Sequence, residues 1–137
     1  MNIPAVTPHQ RLDAALDAAR LARAAACEAD DAAADALCDL ARDLVPLDWR
    51  PDAPYEVPPR CYVDLPHGRV YVTRMSRGWE AWGEPDCGPS DGLLSLVAAS
   101  PRAALASLYF AASAARPGPA KRFAVEVAAA LATLEIP

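Results

Sequence analysis

The sequence predicts an α+β fold: a small antiparallel β-meander of three or four strands, packed by helices, with a long acidic N-terminal helix or helical hairpin. Three observations carry this expectation. Residues 8–45 hold no glycine and no proline after Pro8, and their apolar residues recur at 100° per residue. Residues 60–83 alternate apolar and polar side chains between glycine-containing turns. Beyond residue 100, two alanine-rich segments each follow a proline-containing break.

The first helix starts at Thr7-Pro8-His9-Gln10, where Thr7 can cap, Pro8 suits the first helical position and Gln10 can reach back as the capping-box partner. It stops at Pro46, which forces Val45 out of helical geometry. Leu12, Ala15, Leu16, Ala19, Ala22, Ala26, Ala33, Leu37, Leu40 and Leu44 share one side; Asp13, Asp17, Glu28, Asp31, Asp35, Asp39 and Asp43 lie opposite. The phase is kept across Glu28-Ala29-Asp30-Asp31, so one helix of ~55 Å fits. A hairpin turning at 28–31 fits as well, although no glycine marks it.

Residues 46–59 carry Pro46, Pro51, Pro54 and Pro58, with Pro59 following Pro58, and read as an extended, polyproline-like connection pinned by Trp49 and Tyr55. In the meander, Cys61, Val63 and Leu65 alternate with Tyr62 and Asp64, and Pro66-His67-Gly68 turns the chain. Val70 and Val72 then alternate with Tyr71 and Thr73, Ser76-Arg77-Gly78 turns again, and Trp79–Trp82 forms a third short strand. Glu84–Gly92 reads as a loop; Leu93–Ala99 fits a fourth strand or a short helix. Ser100-Pro101 opens a helix to about Ala115, whose Leu105, Leu108, Tyr109, Phe110 and Ala112 leave little polar face, so it should be sandwiched. Arg116-Pro117-Gly118-Pro119 breaks the chain before a last helix to about Glu135, with Phe123, Ala124, Val127, Leu131 and Leu134 inward. At 137 residues this makes one domain, 1–137: a helical segment 8–45, a connection 46–59, and a sheet with two helices over 60–137.

Composition narrows the function. Hydrophobic residues make up 53%, enough for a core, but 32 residues are alanine and only 7% are aromatic, so that core should be thin and helix-rich. The net charge of −5 argues against a generic binder of DNA or anionic membrane. No apolar run reaches the ~18 residues of a membrane span, and residues 1–7 lack a secretory signal, so the expected location is cytoplasmic. Cys27, Cys38, Cys61 and Cys87 form no C-x-x-C pair, and His9 and His67 do not complete a zinc set. On one helix Cys27 and Cys38 would be ~16 Å apart, too far for a disulfide. Four reduced cysteines, no metal and no cofactor are expected. Cys87 and His67 would need a third orienting group to act as a nucleophile pair, and no G-x-S-x-G, G-x-G-x-x-G or P-loop occurs, so no enzyme is expected.

Two charged patterns are candidate binding sites. Asp31, Asp35, Asp39 and Asp43 step by four, each step turning ~40°, and with Glu28 they form a slowly winding ridge whose like charges repel at i,i+4. An ordinary solvated face would look the same; as a site, the ridge would attract a basic partner. Residues 60–83 carry Arg60, Arg69, Arg74 and Arg77 against Asp64 and Glu80. Arg69 and Arg74, with Trp79 and Trp82, make a second candidate surface. Arginines beside aromatics on a sheet can stack bases or pair with acidic helices; the overall charge disfavours direct nucleic-acid binding.

Val70-Tyr71-Val72-Thr73-Arg74, then Gly78-Trp79-Glu80-Ala81-Trp82, then Val97-Ala98-Ala99-Ser100-Pro101-Arg102-Ala103-Ala104-Leu105 resemble the strand–strand–strand–helix unit of HicB-type antitoxins and of small phage αβ-sandwich domains, over residues 60–115. The resemblance implies a phage or mobile-element protein that works by binding. The expectation is a non-catalytic acidic protein that inhibits a host defence complex, anti-CRISPR-like, by occupying a basic groove; the alternative is an antitoxin or immunity protein neutralising one cognate toxin. The expected partner is a protein or ribonucleoprotein with a basic surface, not a membrane, and homo-oligomerisation is left open.

Overall fold

A computed structural model of the chain describes residues 5–86 and 93–134. Helix α1 (Pro8–Leu44) is one continuous helix of 37 residues, so the hairpin alternative falls. Its start is the expected capping box: the Gln10 backbone N–H donates to Thr7 Oγ1 at 3.1 Å, and the Thr7 N–H donates to Gln10 Oε1 at 3.0 Å. Val45 ends it in extended geometry, φ −137°, ahead of Pro46.

The burial of α1 departs from the expectation. Residues 5–33 are all exposed, and within α1 only Ala34, Cys38 and Ala41 are buried. The apolar positions Leu12, Ala15, Leu16, Ala19, Ala22 and Ala26 therefore face no core of their own chain. The helix, ~55 Å long, is longer than the sheet it docks on, and the core takes hold only of its last three turns.

Five antiparallel strands follow: β1 (Arg50–Asp52), β2 (Arg60–Leu65), β3 (Gly68–Met75), β4 (Gly78–Pro85) and β5 (Leu93–Leu94), in sheet order β1-β2-β3-β4-β5. The sheet has five strands, not three or four. Part of the polyproline-like connection is edge strand β1, where Pro51 lies opposite Cys61; proline is tolerated there because an edge strand needs only half its backbone donors. Trp79–Trp82 extends into the eight-residue β4, which takes Glu84 and Pro85 out of the expected loop. Residues 93–98 run beside β4 as an interrupted edge. Ser95 Oγ accepts from the Ala81 N–H at 2.9 Å, and Ala98 exchanges backbone bonds of 2.7 and 2.8 Å with Trp79. The Ser95 side chain takes one rung of the ladder in place of a backbone carbonyl, and this irregular edge is what a leucine spacing compatible with strand or helix leaves undecided.

Helices α2 (Pro101–Ser113) and α3 (Lys121–Leu131) join α1 on the inner face of the sheet. Ser100 caps α2 by accepting from the Ala103 N–H at 3.1 Å. Leu105, Leu108 and Ala112 are buried as expected, but Phe110 is 58% exposed, so α2 keeps one open face and is not sandwiched. Helix α3 stops at Leu131; Phe123, Ala124, Val127 and Leu131 point inward with Leu134 just beyond, and Glu135 lies outside the described residues. The core unites Cys61, Val63, Val70, Val72 and Ala81 of the sheet with these helical residues and with Trp49, the largest fully buried side chain.

Phe123 sits in a notch that only glycine leaves open. A Cβ on Gly68 would lie 2.6 Å from its ring and 2.5 Å from the Glu84 carbonyl oxygen; one on Gly83 would lie 2.8 Å from the same ring.

Two stability outcomes follow from this packing. Leu105→Ala or Leu108→Ala, each emptying a fully buried site, should cost about 2–5 kcal/mol in urea unfolding. Gly68→Ala should cost about 1–3 kcal/mol, because the new methyl meets backbone and ring together; unchanged melting of the Gly68 variant would mean that Phe123 does not occupy the notch.

Candidate functional site

The sheet presents two faces, and strand alternation assigns each side chain to one of them. On the outer face, opposite the helices, neighbouring strands align Arg50, Tyr62, Tyr71, Trp82 and Leu94 in one row. Tyr62 and Tyr71 are tilted at 6.1 Å, and Tyr71 stacks on Trp82 at 5.0 Å and 16°. The Arg69 guanidinium lies 4.1 Å over Tyr62 and that of Arg60 lies 4.6 Å over Tyr71. Both cations already have carboxylates: Arg60 Nε donates to Asp52 at 2.8 Å and Arg69 Nε donates to Asp64 at 2.7 Å. The face thus carries three arginines (Arg50, Arg60, Arg69) against four carboxylates (Asp52, Asp64, Glu80, Glu84), with no surplus charge for a phosphate backbone.

The four sheet residues singled out in the sequence do not form one surface. Arg69 and Trp82 lie on the outer face. Arg74 and Trp79 pair with each other at the far end of the inner face, with the guanidinium 5.6 Å from the indole. Odd and even positions of a strand point to opposite sides, so Arg69 and Arg74 were bound to part company. Arg74 and Trp79 instead wall an apolar groove of about 440 Å³, closed on its other side by Ala33, Ala36, Leu37 and Leu40 of α1 and by Pro59. A second hollow of about 510 Å³ separates α1 at Arg23–Asp31 from the loop Ala53–Glu56.

The acidic ridge is where the sequence puts it. Glu28, Asp31, Asp35, Asp39 and Asp43 are all exposed on α1. Among the described residues only Asp39 of these five is ion-paired, to Arg42 at 3.1 Å. Arg42 also donates to the Trp49 carbonyl oxygen at 2.7 Å, a clamp between helix end and sheet that the sequence does not announce. Sequence reasoning also missed the groove, which exists only because α1 faces Arg74 of β3 and Trp79 of β4 across it.

His67 belongs to the β2–β3 turn. Its backbone N–H donates to Glu126 Oε1 at 2.9 Å, its Nδ1 meets Glu126 Oε2, and Arg122 approaches Nε2 at 3.4 Å. These bonds tie the turn to α3. Cys87 lies outside the described residues, so the Cys87–His67 pairing is not described.

Cys38 of α1 and Cys61 of β2 meet in the core as free thiols, while Cys27 is exposed on the arm. Burial raises the Cys38 thiol and pushes Cys61 up to about 12 from an ordinary 9.0. No helix among the described residues is long and apolar enough to cross a membrane.

In native protein at neutral pH, Cys27 should react promptly with a thiol reagent and Cys38 and Cys61 only on unfolding. The same shift sets a pH dependence. The unfolded thiol ionises near 9 and the folded Cys61 near 12, so its contribution to stability is complete below pH 9 and is lost as pH rises towards 12. A Cys61→Ala comparison across that window would isolate it.

No protein-family model, no curated protein and no solved structure matches this chain, and the surfaces above are what its function has to be read from.

Proposed function

We propose that this is a non-catalytic binding protein that engages a basic protein or ribonucleoprotein surface through the acidic ridge of α1. The observation that supports it is the ridge itself: five exposed carboxylates on one rigid helix, four of them without an ion-pair partner among the described residues. A helix holds such charges at fixed spacing, so their field is ordered before the partner arrives. Arg50, Arg60 and Arg69 of the outer sheet face are paired with Asp48, Asp52 and Asp64, which argues against a nucleic-acid backbone as the direct ligand. In its finer form the protein is encoded by a phage or mobile element and acts in the cytoplasm. There it blocks a host defence complex by filling the groove meant for nucleic acid. A second reading, an antitoxin or immunity protein, is favoured by a different observation: on the outer face the half-buried Tyr62 and Trp82 flank a buried Tyr71, with Leu94, 65% exposed, beside them. Such a face suits one cognate partner.

Two variants separate the readings. Asp31→Lys, Asp35→Lys, Asp39→Lys and Asp43→Lys together reverse the ridge without touching the core. Tyr62→Ala with Trp82→Ala strips the outer face. Guide-loaded defence nucleases would be assayed for target cleavage with each protein over a range of salt. The ridge reading expects inhibition that weakens with salt, disappears on charge reversal and survives the sheet changes. Inhibition that survives charge reversal at low salt, or no inhibition by the wild type, would overturn it; loss through the sheet variant alone would favour the second reading.

A further inference from the structure

The face of α1 opposite the ridge is uncovered over residues 12–22, borders the hollow facing Ala53–Glu56 at Arg23, Ala26 and Asp30, and borders the groove beside Trp79 at Ala33–Leu40; its chemistry names a partner. Leu12 and Leu16 stand 56% and 44% exposed near the helix start, and Leu40 is 37% exposed in the groove beside Trp79. From Leu12 to Leu40 small or apolar residues recur at alternating steps of three and four: 12, 15, 19, 22, 26, 29, 33, 36, 40. That is the spacing of a helix seam that packs on another helix.

We infer that a second copy of this chain covers this seam, its α1 running antiparallel and crossing near Ala26, so that Leu12 and Leu16 of each copy enter the groove of the other.

Charge selects both the occupant and its direction. Residues 8–27 carry Arg11, Arg20 and Arg23 against two aspartates, whereas residues 28–44 carry six carboxylates against Arg42 alone. A parallel pair would lay the acidic halves side by side. An antiparallel pair lays each acidic half on the arginine-bearing half of the other copy and opposes the helix dipoles. Crossing at Ala26 brings Arg23 to Asp30 of the second copy and Arg11 to Asp39. The lengths agree as well: Leu12 is as far before Ala26 as Leu40 is after it. The seam is ~42 Å long and a helix ~10–12 Å across, a strip of ~420–500 Å² per copy to which the groove walls add, against the ~800 Å² per partner of a standard specific interface. Asp31 and Asp35 lie on the other side of the helix and stay accessible, whereas Asp39 meets Arg11 of the second copy and Asp43 borders the seam beside Ala36 and Leu40; the leucine changes below therefore test the dimer without touching the ridge.

Sedimentation velocity of the full chain up to high-micromolar concentration should give twice the 14.5 kDa monomer mass. Leu12→Glu with Leu16→Glu, both outside the core, should raise the dissociation constant at least tenfold with unchanged thermal melting of the sheet domain. Arg23→Asp or Asp30→Arg alone should weaken the dimer, and the two together should restore it. Within one chain these positions are two turns apart, ~10 Å, so restoration reports pairing between copies. A spin label on Ala14→Cys, in a Cys27→Ser and Cys87→Ser background, should give a distance of ~36 Å between copies. A monomer throughout, a dimer indifferent to the leucine changes, or the ~10 Å label distance of a parallel pair would each overturn the inference.

Discussion

The burial of Trp49 holds this structure together. Its indole is fully enclosed, its Nε1–H donates to the Val45 carbonyl oxygen at 3.0 Å, and its own carbonyl oxygen receives Arg42 at 2.7 Å. These contacts fix the sharp exit from α1 through Pro46 into β1. The last turns of α1 must therefore lie on the inner face of the sheet, with Cys38 against Cys61. A large aromatic with its one polar atom satisfied combines apolar burial with a directional constraint. In an alanine-rich chain few other side chains are large enough to set that direction.

From that anchor the rest of α1 is free to project. A helix of this length exceeds the ~12–15 residues below which isolated helices are marginal, and alanine is the best helix former. The capping box at Thr7 and Gln10 secures the far end locally. The arm thus needs no packing to be helical, and its surface is left to serve something other than its own core. The acids on one side repel each other weakly at i,i+4, a small cost tolerated by strong intrinsic propensity.

The sheet divides its labour in a comparable way. Its inner face carries Cys61, Val63, Val70, Val72 and Ala81 at its centre, and at Gly68 and Gly83 no side chain at all, so that Phe123 and the helices can approach closely. Its outer face carries the aromatic row, over which arginines lie flat while their own carboxylates neutralise them. Charge that looks basic along the sequence becomes balanced on the surface, because cross-strand neighbours such as Asp64 and Arg69 are brought opposite one another by register.

Local chemistry determined much of this protein from sequence alone. The caps at Thr7 and Ser100, the stop at Pro46, the alternation of β2 and β3 and the inward set of α3 are written in neighbouring residues, and each was legible there. The exposed ridge was legible too, because helical phase depends only on spacing. What tertiary structure decided is whatever depends on distant partners. Helical periodicity in Leu12–Ala26 showed an apolar side but not whether anything covers it, since coverage depends on where Trp49 directs the chain. The edge strands β1 and β5 are too short and irregular to read; Pro51 argues against a strand until Cys61 supplies the neighbour, and Ser95 bonds β4 through its side chain. The separation of Arg69 and Trp82 from Arg74 and Trp79 followed from pleat and register together. The groove beside Trp79 exists in no single segment: it is the space left between a helix from the start of the chain and Pro59, Arg74 and Trp79 of the sheet.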